Sequence, residues 1–381
     1  MKEFVYDALP GRIVFGVGAL SRLPDEVDGL DAKRVFVVTD QGTREIADRV
    51  IDDLGDRFVG VFTDIELHVP VGGVERATSV AEKERSDSVV TVGGGSTTGY
   101  GKVIALRAGL PLLAVPTTYA GSEMTPIYGI TSDGLKRTER DLRVLPKAVI
   151  YDPALTVSLP PSVTGPSGMN AIAHCVEALY AKDRNPISSI VAKEGIRALS
   201  TGIPGSVRSP EDLDARSDAL YGAFLAGGAL AAVGMAIHHR ICHVLGGTFG
   251  LAHGEVNAVV LPHAARYNQE AAPESLSSAA RALGAPDAAT ALFDMAVDIG
   301  APTSLAQLGM REEDLDRAAQ LAADPPPWNP RAVTVEDMRA LLEDAFLGRR
   351  PEPGAGAAVV GYGEERLRRI EGMSTQAPTG G

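Results

Sequence analysis

Short apolar runs alternate with amphipathic segments through the first 152 residues of the chain. The amphipathic segments TREIADRVIDDL and GVERATSVAEKERS have apolar residues at helical spacing and charged residues on the outer face. Apolar runs that predict strands are RVFVVTD (34–40), RFVGVF (57–62), SVVTVGGGS (88–96), LPLLAVPTT (110–118) and KAVIYD (147–152). Because the strands are almost entirely apolar and helices separate them, we expect a parallel sheet covered on both faces, in an α/β domain spanning residues 1–157.

The pattern changes after the proline-rich stretch SLPPS (158–162), which we interpret as a hinge. Long alanine- and leucine-rich segments with helical periodicity follow: MNAIAHCVEALYA, SSIVAKEGIRALS, DARSDALYGAFLAGGALAAVGMAIHHRICHVLGG and EVNAVVLPHAARYN. They predict an all-helical domain over residues 158–350, with the ligand site in the cleft between the two domains. Residues 351–381 predict a mobile tail that carries one short charged helix.

The acidic balance of the chain limits its partners. The formal charge of −13, from 36 basic and 49 acidic residues, disfavours nucleic acid and anionic membrane surfaces as partners. A small anionic substrate would therefore need a local cluster of cations inside a cleft. The two cysteines, Cys175 and Cys242, are too few for a disulfide scaffold. The N-terminal residues lack a hydrophobic signal region, and no uninterrupted apolar run is long enough to span a bilayer. These features predict a soluble, cytoplasmic protein.

A glycine-rich loop follows the third predicted strand. Gly93, Gly94 and Gly95 stand between that strand and a helix, where the missing Cβ atoms let backbone N–H groups approach a pyrophosphate. Gly94, Gly95 and Ser96 are the candidate phosphate-binding residues. A tight strand-to-helix turn without a ligand would have the same pattern, because the run is not the G-x-G-x-x-G fingerprint.

Two further features favour a dinucleotide. Asp40 ends the first strong strand, where a carboxylate can accept hydrogen bonds from ribose hydroxyls and repel a 2′-phosphate. NAD(H) is therefore favoured, with NADP(H) as the alternative. PTTYAGSEMTP (116–126) follows the next strand, and Thr117, Thr118 and Ser122 are candidates to hold phosphate or nicotinamide amide groups. Such hydroxyls also commonly cap helices.

Histidines are concentrated in HHRICHVLGGTFGLAH (238–253), which holds four of the seven in the chain. His239 and His243 lie four residues apart on one helix face, and His253 follows a glycine-containing break. Asn170 and His174 form a second pair with the same spacing on another helix. Together, Asn170, His174, His239 and His253 would make a divalent-metal shell, although each histidine alone is more often structural.

Asn170 argues against a bound metal. A hard divalent cation prefers a carboxylate, and a neutral amide removes one negative charge from the shell. We therefore expect no metal. Without one, the same imidazoles, together with Arg240 and Arg266, would form a cationic pocket for an anionic substrate.

The motifs GGGS, PTTYAGSE, GMNAIAHCVEALYA, HHRICHVLGG and HGEVNAVVLPH resemble, in this order, those of the iron-containing (group III) alcohol dehydrogenase family. The resemblance covers nearly the whole chain. It implies an N-terminal NAD(P)-binding α/β domain, a C-terminal helical domain and an active site between them. The family binds its metal through an aspartate and three histidines, which correspond to Asn170, His174, His239 and His253, so the aspartate is missing here.

Within that family the chain is most similar to the maleylacetate reductases. The shared features are GGGSTTG, with Gly99 where relatives usually have aspartate, TTYAGSEMTPI, the asparagine of GMNAIAH, HH-x-x-CH-x-LGGTF and NPRAVTVEDMRALLEDAF. These enzymes are generally regarded as working without a metal. The resemblance implies homodimerisation and reduction of the C=C bond of maleylacetate to 3-oxoadipate with NAD(P)H, in aromatic-ring degradation.

The resemblance also implies roles for single residues. His243 is the candidate proton donor, and His239 and His253 would polarise the substrate or bind a carboxylate, with His174 completing the catalytic set. Lys136 corresponds to the family's cofactor-contacting lysine, although a solvated turn lysine would look the same. The candidate substrate-binding residues are Tyr119, Asn170 and Arg240.

One segment departs from these relatives. GLAHGEVN (250–257) keeps His253 but stands where we expect a segment resembling DLPHAETH, in a loop that should face the substrate. Another substrate, for example in a biosynthetic pathway, is therefore an alternative. So are a metal-dependent alcohol or polyol dehydrogenase and a non-catalytic NAD-binding protein. A lyase resembling dehydroquinate synthase is disfavoured, because its phosphate-binding lysines and arginines are not evident.

Overall fold

Six parallel strands form the sheet of the N-terminal half of the protein in the computed structural model, which describes residues 4, 6–9, 11–67, 69–132 and 135–353. These strands are β1 (Arg12–Phe15), β2 (Val35–Thr39), β3 (Phe58–Phe62), β4 (Ser88–Gly93), β5 (Leu112–Pro116) and β8 (Ala148–Tyr151). Their order across the sheet is β1-β8-β5-β4-β2-β3. An antiparallel hairpin of β6 (Ile127–Ser132) and β7 (Leu135–Arg140) lies outside this sheet. The predicted parallel α/β domain is confirmed.

Four helices cover the sheet and nine follow it along the described chain. The first group is α1 (Leu23–Gly29), α2 (Arg44–Leu54), α3 (Val71–Lys83) and α4 (Gly95–Ala108). The second group is α5 (Pro161–Tyr180), α6 (Pro186–Arg208), α7 (Leu213–Ala232), α8 (Ile237–Phe249), α9 (His253–Asn268), α10 (Pro273–Ala282), α11 (Ala288–Asp298), α12 (Leu315–Ala323) and α13 (Val335–Leu347). Between residues 152 and 353 the structure contains no strand, so the helical second domain is confirmed.

Small residues let the long helices of the second domain approach closely. A Cβ atom on Gly202 of α6 would lie 2.3 Å from the main-chain nitrogen of Ala219 on α7. A Cβ atom on Gly222 of α7 would lie 2.6 Å from the side chain of Leu199. Both distances are shorter than real interatomic contacts, so glycine is needed at both positions for α6 and α7 to pack this closely. The two helices share a hydrophobic core with α5.

Two helix boundaries differ from the sequence prediction. The long segment containing HHRICH is not continuous, because α7 ends before Val233 and α8 starts after Ala236, with a bend of 99° between them. The predicted break at Gly246–Gly247 is wrong, since both glycines lie inside α8. The helix ends instead at Gly250, whose φ of 71° provides the left-handed C-terminal conformation.

Within the described part of the chain, no single helix has both the length and the apolar composition needed to cross a membrane; α7 and α8 meet these criteria only as a bent pair. The predicted charged helix of the tail lies in residues 354–381, outside the described residues.

Arg216 at the start of α7 connects the two halves of the protein. Its side chain is fully buried and donates hydrogen bonds to the hydroxyl groups of Tyr119 and Thr164, at 3.1 and 3.0 Å. It also donates to the carbonyl oxygens of Leu159 and Pro210, at 3.1 and 2.9 Å. One side chain therefore holds the loop after β5, the proline-rich connection and two helices together.

Candidate active site

Three neighbouring strands end at the edge of the sheet where the sequence predicts a dinucleotide site. Asp40 follows β2, the glycine run follows β4, and Thr117 and Thr118 follow β5. Because β2, β4 and β5 are parallel neighbours, their carboxyl ends meet at one edge. Open α/β sheets bind ligands at this edge.

The glycine loop leads into the N-terminus of α4. Gly94 is the N-cap residue without a side-chain cap, and Gly94, Gly95 and Ser96 are each half-buried. Gly93 has a φ of 153°, and a Cβ atom on it would lie 2.6 Å from Thr97 Oγ1. The loop therefore requires glycine for its shape, and it leaves the first N–H groups of a 14-residue helix available to an anion.

The carboxylate of Asp40 is held in place by two hydrogen bonds. Its Oδ1 accepts from the main-chain N–H of Thr43 at 3.1 Å, and its Oδ2 accepts from the hydroxyl of Thr97 at 2.9 Å. Asp40 is half-buried. A carboxylate has about four acceptor positions, so these two bonds leave capacity for a ribose hydroxyl pair.

The hydroxyl-rich loop after β5 is fixed by a buried lysine that sequence reasoning missed. Lys102 on α4 is fully buried, and its Nζ lies 2.6–3.2 Å from five oxygens: the carbonyls of Ser122, Thr125 and Ile127 and the hydroxyls of Ser122 and Thr125. Burial lowers the pKa of Lys102 to about 7, and the buried carboxyl of Glu123 opposes this effect. Lys102 thus joins the helix of the glycine loop to the loop that contains Ser122.

Replacing Lys102 with methionine should loosen this loop. We expect Lys102→Met to raise the KM for the reduced dinucleotide at least about tenfold, equivalent to ~1.4 kcal/mol, because the carbonyls of the loop lose their shared donor. Lys193→Met, at an exposed position on α6, is the matched control and should leave KM unchanged. Equal KM values in the two variants, measured in initial-rate assays, would refute the role of Lys102.

Two of the predicted substrate-binding residues make contacts within the fold. Tyr119 is fully buried, and its hydroxyl accepts a hydrogen bond from Arg216, so its side chain does not reach the cleft. Arg240 donates to the carbonyl oxygens of Leu321 and Asp324, at 2.8 and 3.1 Å. The prediction for Tyr119 is wrong, because its hydroxyl stabilises a contact within the fold. Arg240 as a substrate-binding residue stays a prediction, since its buried Nε has no partner among the described residues.

Lys136 lies on β7, where its Cα is paired with that of Thr131. Its side chain is outside the described part of the structure, so its predicted contact with the cofactor stays a prediction.

We call the carboxyl ends of β2, β4 and β5, with the loops that follow them, the dinucleotide edge. It contacts the helical domain at Gly121. This residue has a φ of 80°, and a Cβ atom on it would lie 3.1 Å from the Cα of Gly227 on α7 and 3.6 Å from Nδ1 of His174 on α5. Backbone-to-backbone contact through two glycines therefore brings the loop of Thr117, Thr118 and Ser122 next to the histidines.

The four predicted catalytic histidines come together from three helices. The rings of His174 and His239 are stacked, with centroids 4.8 Å apart, and those of His243 and His253 are stacked at 6.2 Å. The ring edges of His239 and His243 approach with centroids 6.3 Å apart. His174 and His239 are buried, His253 is half-buried and His243 is exposed, so a ligand from solvent can reach His243.

Three atoms in this cluster have no hydrogen-bond partner among the described residues. They are Oδ1 of Asn170, Nδ1 of His174 and Nε2 of His239, and all three are buried. Unpaired polar atoms cost free energy in a protein interior, so they commonly mark a site that a ligand, a water molecule or an ion completes.

Glu177 is a second functional residue that sequence reasoning missed. It is fully buried on α5, and its Oε2 lies 2.7 Å from Nδ1 of His239. The same carboxyl group accepts from the main-chain N–H groups of Ala236 and His238, at 3.0 and 2.9 Å. Burial raises the pKa of Glu177, and His238 and these donors oppose the shift.

Two of the imidazoles in the predicted cationic pocket are uncharged. Burial, together with the neighbouring imidazoles, holds the pKa of His174 and of His239 well below the usual value, so both rings are neutral near pH 7. Arg266 donates to Asp287 at 2.7 Å, and Arg240 donates to two carbonyl oxygens as described above, while Nε of each arginine has no partner among the described residues.

The unpartnered atoms of Asn170, His174 and His239 are all neutral. This set lacks the carboxylate oxygen that a hard cation prefers, whereas its imidazole nitrogens suit iron or zinc. Glu177, His238 and His239 also offer ligand atoms within 4.8 Å of one another. Nevertheless, the Glu177 oxygens and the His238 ring are already engaged in hydrogen bonds.

The last two residues of the unusual segment GLAHGEVN are buried. Val256 and Asn257 are fully buried, and the Asn257 amide donates to the carbonyl oxygen of His253 at 2.6 Å. For these two residues the expectation of a substrate-facing loop is wrong, because they begin the buried face of α9. A cavity of about 770 Å³ elsewhere in the helical domain, beside His263 and Arg349, includes none of the predicted catalytic or cofactor-binding residues.

Two family profiles match the chain. The profile described as iron-containing alcohol dehydrogenase matches residues 10–153, and the C-terminal profile of the Fe-containing alcohol dehydrogenase family matches residues 164–346. Together they cover most of the sequence.

Individual proteins are similar over the same region. Maleylacetate reductase of Burkholderia cepacia is 49% identical over 351 residues, which are 92% of this chain and all of that protein. The crystal structure of maleylacetate reductase from Agrobacterium tumefaciens has a TM-score of 0.89 and 46% identity, covering 92% of this chain and all of that one. Sulfoacetaldehyde reductase from Bifidobacterium kashiwanohense, solved in complex with NAD⁺, has a TM-score of 0.83 and 26% identity, covering 90% and 99%.

Proposed function

Because the chain belongs to the iron-containing alcohol dehydrogenase family, we propose that it is a maleylacetate reductase that reduces 2-maleylacetate to 3-oxoadipate with NADH. The observation that carries the proposal is the contact of Gly121 with Gly227 and His174, which joins the dinucleotide edge to the histidine cluster. The high identity to maleylacetate reductases over 92% of the chain supports this substrate.

The dinucleotide edge favours binding of a reduced nicotinamide cofactor. The free N–H groups at the start of α4 suit its pyrophosphate, and the carboxylate of Asp40 suits a ribose hydroxyl pair. The negative charge of Asp40 disfavours a 2′-phosphate, so we expect a higher kcat/KM with NADH than with NADPH.

The reaction adds one hydride and one proton across a C=C bond. When bound, the cofactor supplies the hydride to the carbon that is β to the ketone, and negative charge then develops on the enolate oxygen. His243, exposed beside the other histidines, is the candidate donor of the proton to the adjacent carbon. Hydrogen-bond donors near the enolate oxygen would stabilise this charge, and half-buried His253, stacked on His243, is the candidate.

The enzyme as proposed works without a metal, since the donor set around Asn170 is neutral. A direct assay is oxidation of NADH by the purified protein with maleylacetate, before and after treatment with a chelator. We expect turnover that the chelator does not reduce. Absence of turnover would refute the proposed substrate, and inactivation by the chelator would refute only the metal-free mode.

An aspartate at position 170 should restore metal binding. We expect Asn170→Asp to bind Zn²⁺ or Fe²⁺ at least about tenfold more tightly than the wild type, because it adds the missing negative charge beside His174 and His239. Metal content after equilibrium dialysis measures the change. Asn185→Asp, at the N-cap of α6, adds the same charge elsewhere and should not change metal binding.

The second candidate function is a metal-dependent alcohol or polyol dehydrogenase, which the name of the family favours. It predicts stoichiometric metal in the wild-type protein, together with oxidation of simple alcohols by NAD⁺ that a chelator abolishes.

A further inference from the structure

A chain of hydrogen bonds behind the cluster determines which nitrogen of His239 carries its proton. His238 and His239 are adjacent and buried, with their Nδ1 atoms 3.2 Å apart. At the far side of His238, Nε2 lies 3.2 Å from the carbonyl oxygen of Asn257 and, farther away, 3.5 Å from Sγ of Cys242. On the other side of His239, Nδ1 lies 2.7 Å from Oε2 of Glu177.

The carbonyl of Asn257 determines the tautomer of His238, because a carbonyl oxygen can only accept a hydrogen bond. The neutral ring of His238 must therefore carry its hydrogen on Nε2, and its Nδ1 has a lone pair. Two lone pairs facing each other at 3.2 Å would repel, so Nδ1 of His239 must carry the hydrogen. That N–H donates to the carboxyl oxygen of Glu177.

Burial supports the same assignment. Nε2 of His239 is buried and has no partner among the described residues. An unpaired N–H in a protein interior is rarer and costlier than an acceptor with an unused lone pair. With the hydrogen on Nδ1, the unpaired atom is the acceptor.

We propose that Glu177 and His238 are positioning residues that hold His239 as its Nδ1–H tautomer, so that the lone pair on Nε2 is available to the ligand. Glu177 also fixes the ring, because the carboxyl group that holds Nδ1 accepts the N–H groups of Ala236 and His238. The N-cap of α8 has no side-chain hydrogen bond of its own, so a carboxylate from α5 replaces it.

This tautomer changes the expected role of His239. A lone pair on Nε2 repels a substrate carboxylate and accepts a hydrogen bond from a hydroxyl group or a water molecule. It cannot supply the proton in the reduction, which leaves that step to another group such as His243. The group that faces His239 is therefore a hydrogen-bond donor or a cation, and the carboxylates of the substrate bind elsewhere.

The tautomer can be measured without any substrate. In protein labelled with ¹⁵N-histidine, long-range ¹H–¹⁵N spectra distinguish protonated from unprotonated ring nitrogens, and a His239→Gln variant assigns the signals. We expect Nδ1 of His239 protonated and Nε2 unprotonated near pH 7.5. A protonated Nε2 with an unprotonated Nδ1 would overturn the proposal.

Variants of Glu177 test its positioning role. We expect Glu177→Leu to shift His239 toward the Nε2–H tautomer and to lower kcat about 10- to 100-fold, with the KM for NADH nearly unchanged. Glu177→Gln keeps one acceptor oxygen and should recover part of both losses. Asp287→Asn, a buried carboxyl-to-amide change at the N-cap of α11, is the matched control. It should change neither the tautomer of His239 nor kcat.

Retention of the wild-type tautomer and kcat in Glu177→Leu would refute the role of Glu177. If that variant does not fold, the wild-type spectrum decides the tautomer, and Glu177→Gln must lower kcat more than Asp287→Asn does for the proposal to stand. The kinetic measurements rest on the proposed function. A wild-type protein that does not reduce maleylacetate would refute that function, while the spectra would still decide the tautomer.

Discussion

Replacing His243 with asparagine should lower kcat for maleylacetate reduction about 10²- to 10⁴-fold, the range typical of a lost general acid. His243 is the exposed member of the cluster, and the neutral Nδ1–H form of His239 cannot donate a proton from Nε2. Asparagine keeps a polar side chain of moderate size but cannot transfer a proton near neutral pH. Binding of NADH, measured by fluorescence titration, should remain within about twofold of the wild type, since a general acid acts mainly on the chemical step.

His263→Gln is the control for this experiment. His263 lies on the same domain, in α9, but beside the separate cavity near Arg349. Its replacement should leave kcat within about twofold, because it contacts none of the four clustered histidines. A His243→Asn enzyme with near-wild-type kcat would mean that water or another residue delivers the proton.

Replacing Arg216 with methionine should have the largest effect on stability. The variant removes the donors that satisfy the hydroxyls of Tyr119 and Thr164 and the carbonyls of Leu159 and Pro210, all around a fully buried position. Buried acceptors without partners are costly, so we expect the free energy of unfolding to fall by about 3 kcal/mol or more. The shift of the urea midpoint, with the slope of the transition, measures this loss.

Arg281→Met is the matched control for stability. Arg281 is exposed on α10 and donates to the hydroxyl of Ser278, so its loss should change the free energy of unfolding by less than about 0.5 kcal/mol. Equal midpoints for the two variants would show that the Arg216 network contributes little to stability.

The fold could be predicted from the sequence wherever the pattern of apolar residues pointed to one kind of element. Fully buried parallel strands read as uninterrupted apolar runs, so β2, β4, β5 and β8 were evident. The partly buried edge strand β3 was also predicted, whereas the edge strand β1 and the β6–β7 hairpin were not. β1 has exposed residues at both ends, and β6 interrupts its apolar residues with glycine and polar residues. The bend between α7 and α8 was not predicted, because the alanine-rich sequence continues through it.

The histidine cluster was predicted because spacing of four residues places side chains on one helix face. Tyr119 was assigned to the substrate because sequence does not show which way a polar side chain points. Lys102 and Glu177 were missed, although each is a single charged residue within an otherwise apolar part of a helix. Such residues are almost never fully buried without partners, so they are a signal for a fixed polar network.

Homodimerisation and a cytoplasmic location stay predictions. The contribution of Lys136 to cofactor binding does as well. The residues of the candidate site, from Asp40 to His253, all belong to one chain.

Identification of the product tests the proposed reaction most directly. Metal-depleted protein incubated with maleylacetate and NADH should yield 3-oxoadipate, identified by mass spectrometry, with one NADH oxidised for each molecule formed. NADH deuterated at the transferred position of C4 should place one deuterium on the carbon β to the ketone. A hydroxy acid formed by reduction of the carbonyl group, or no product until a metal is restored, would contradict the account.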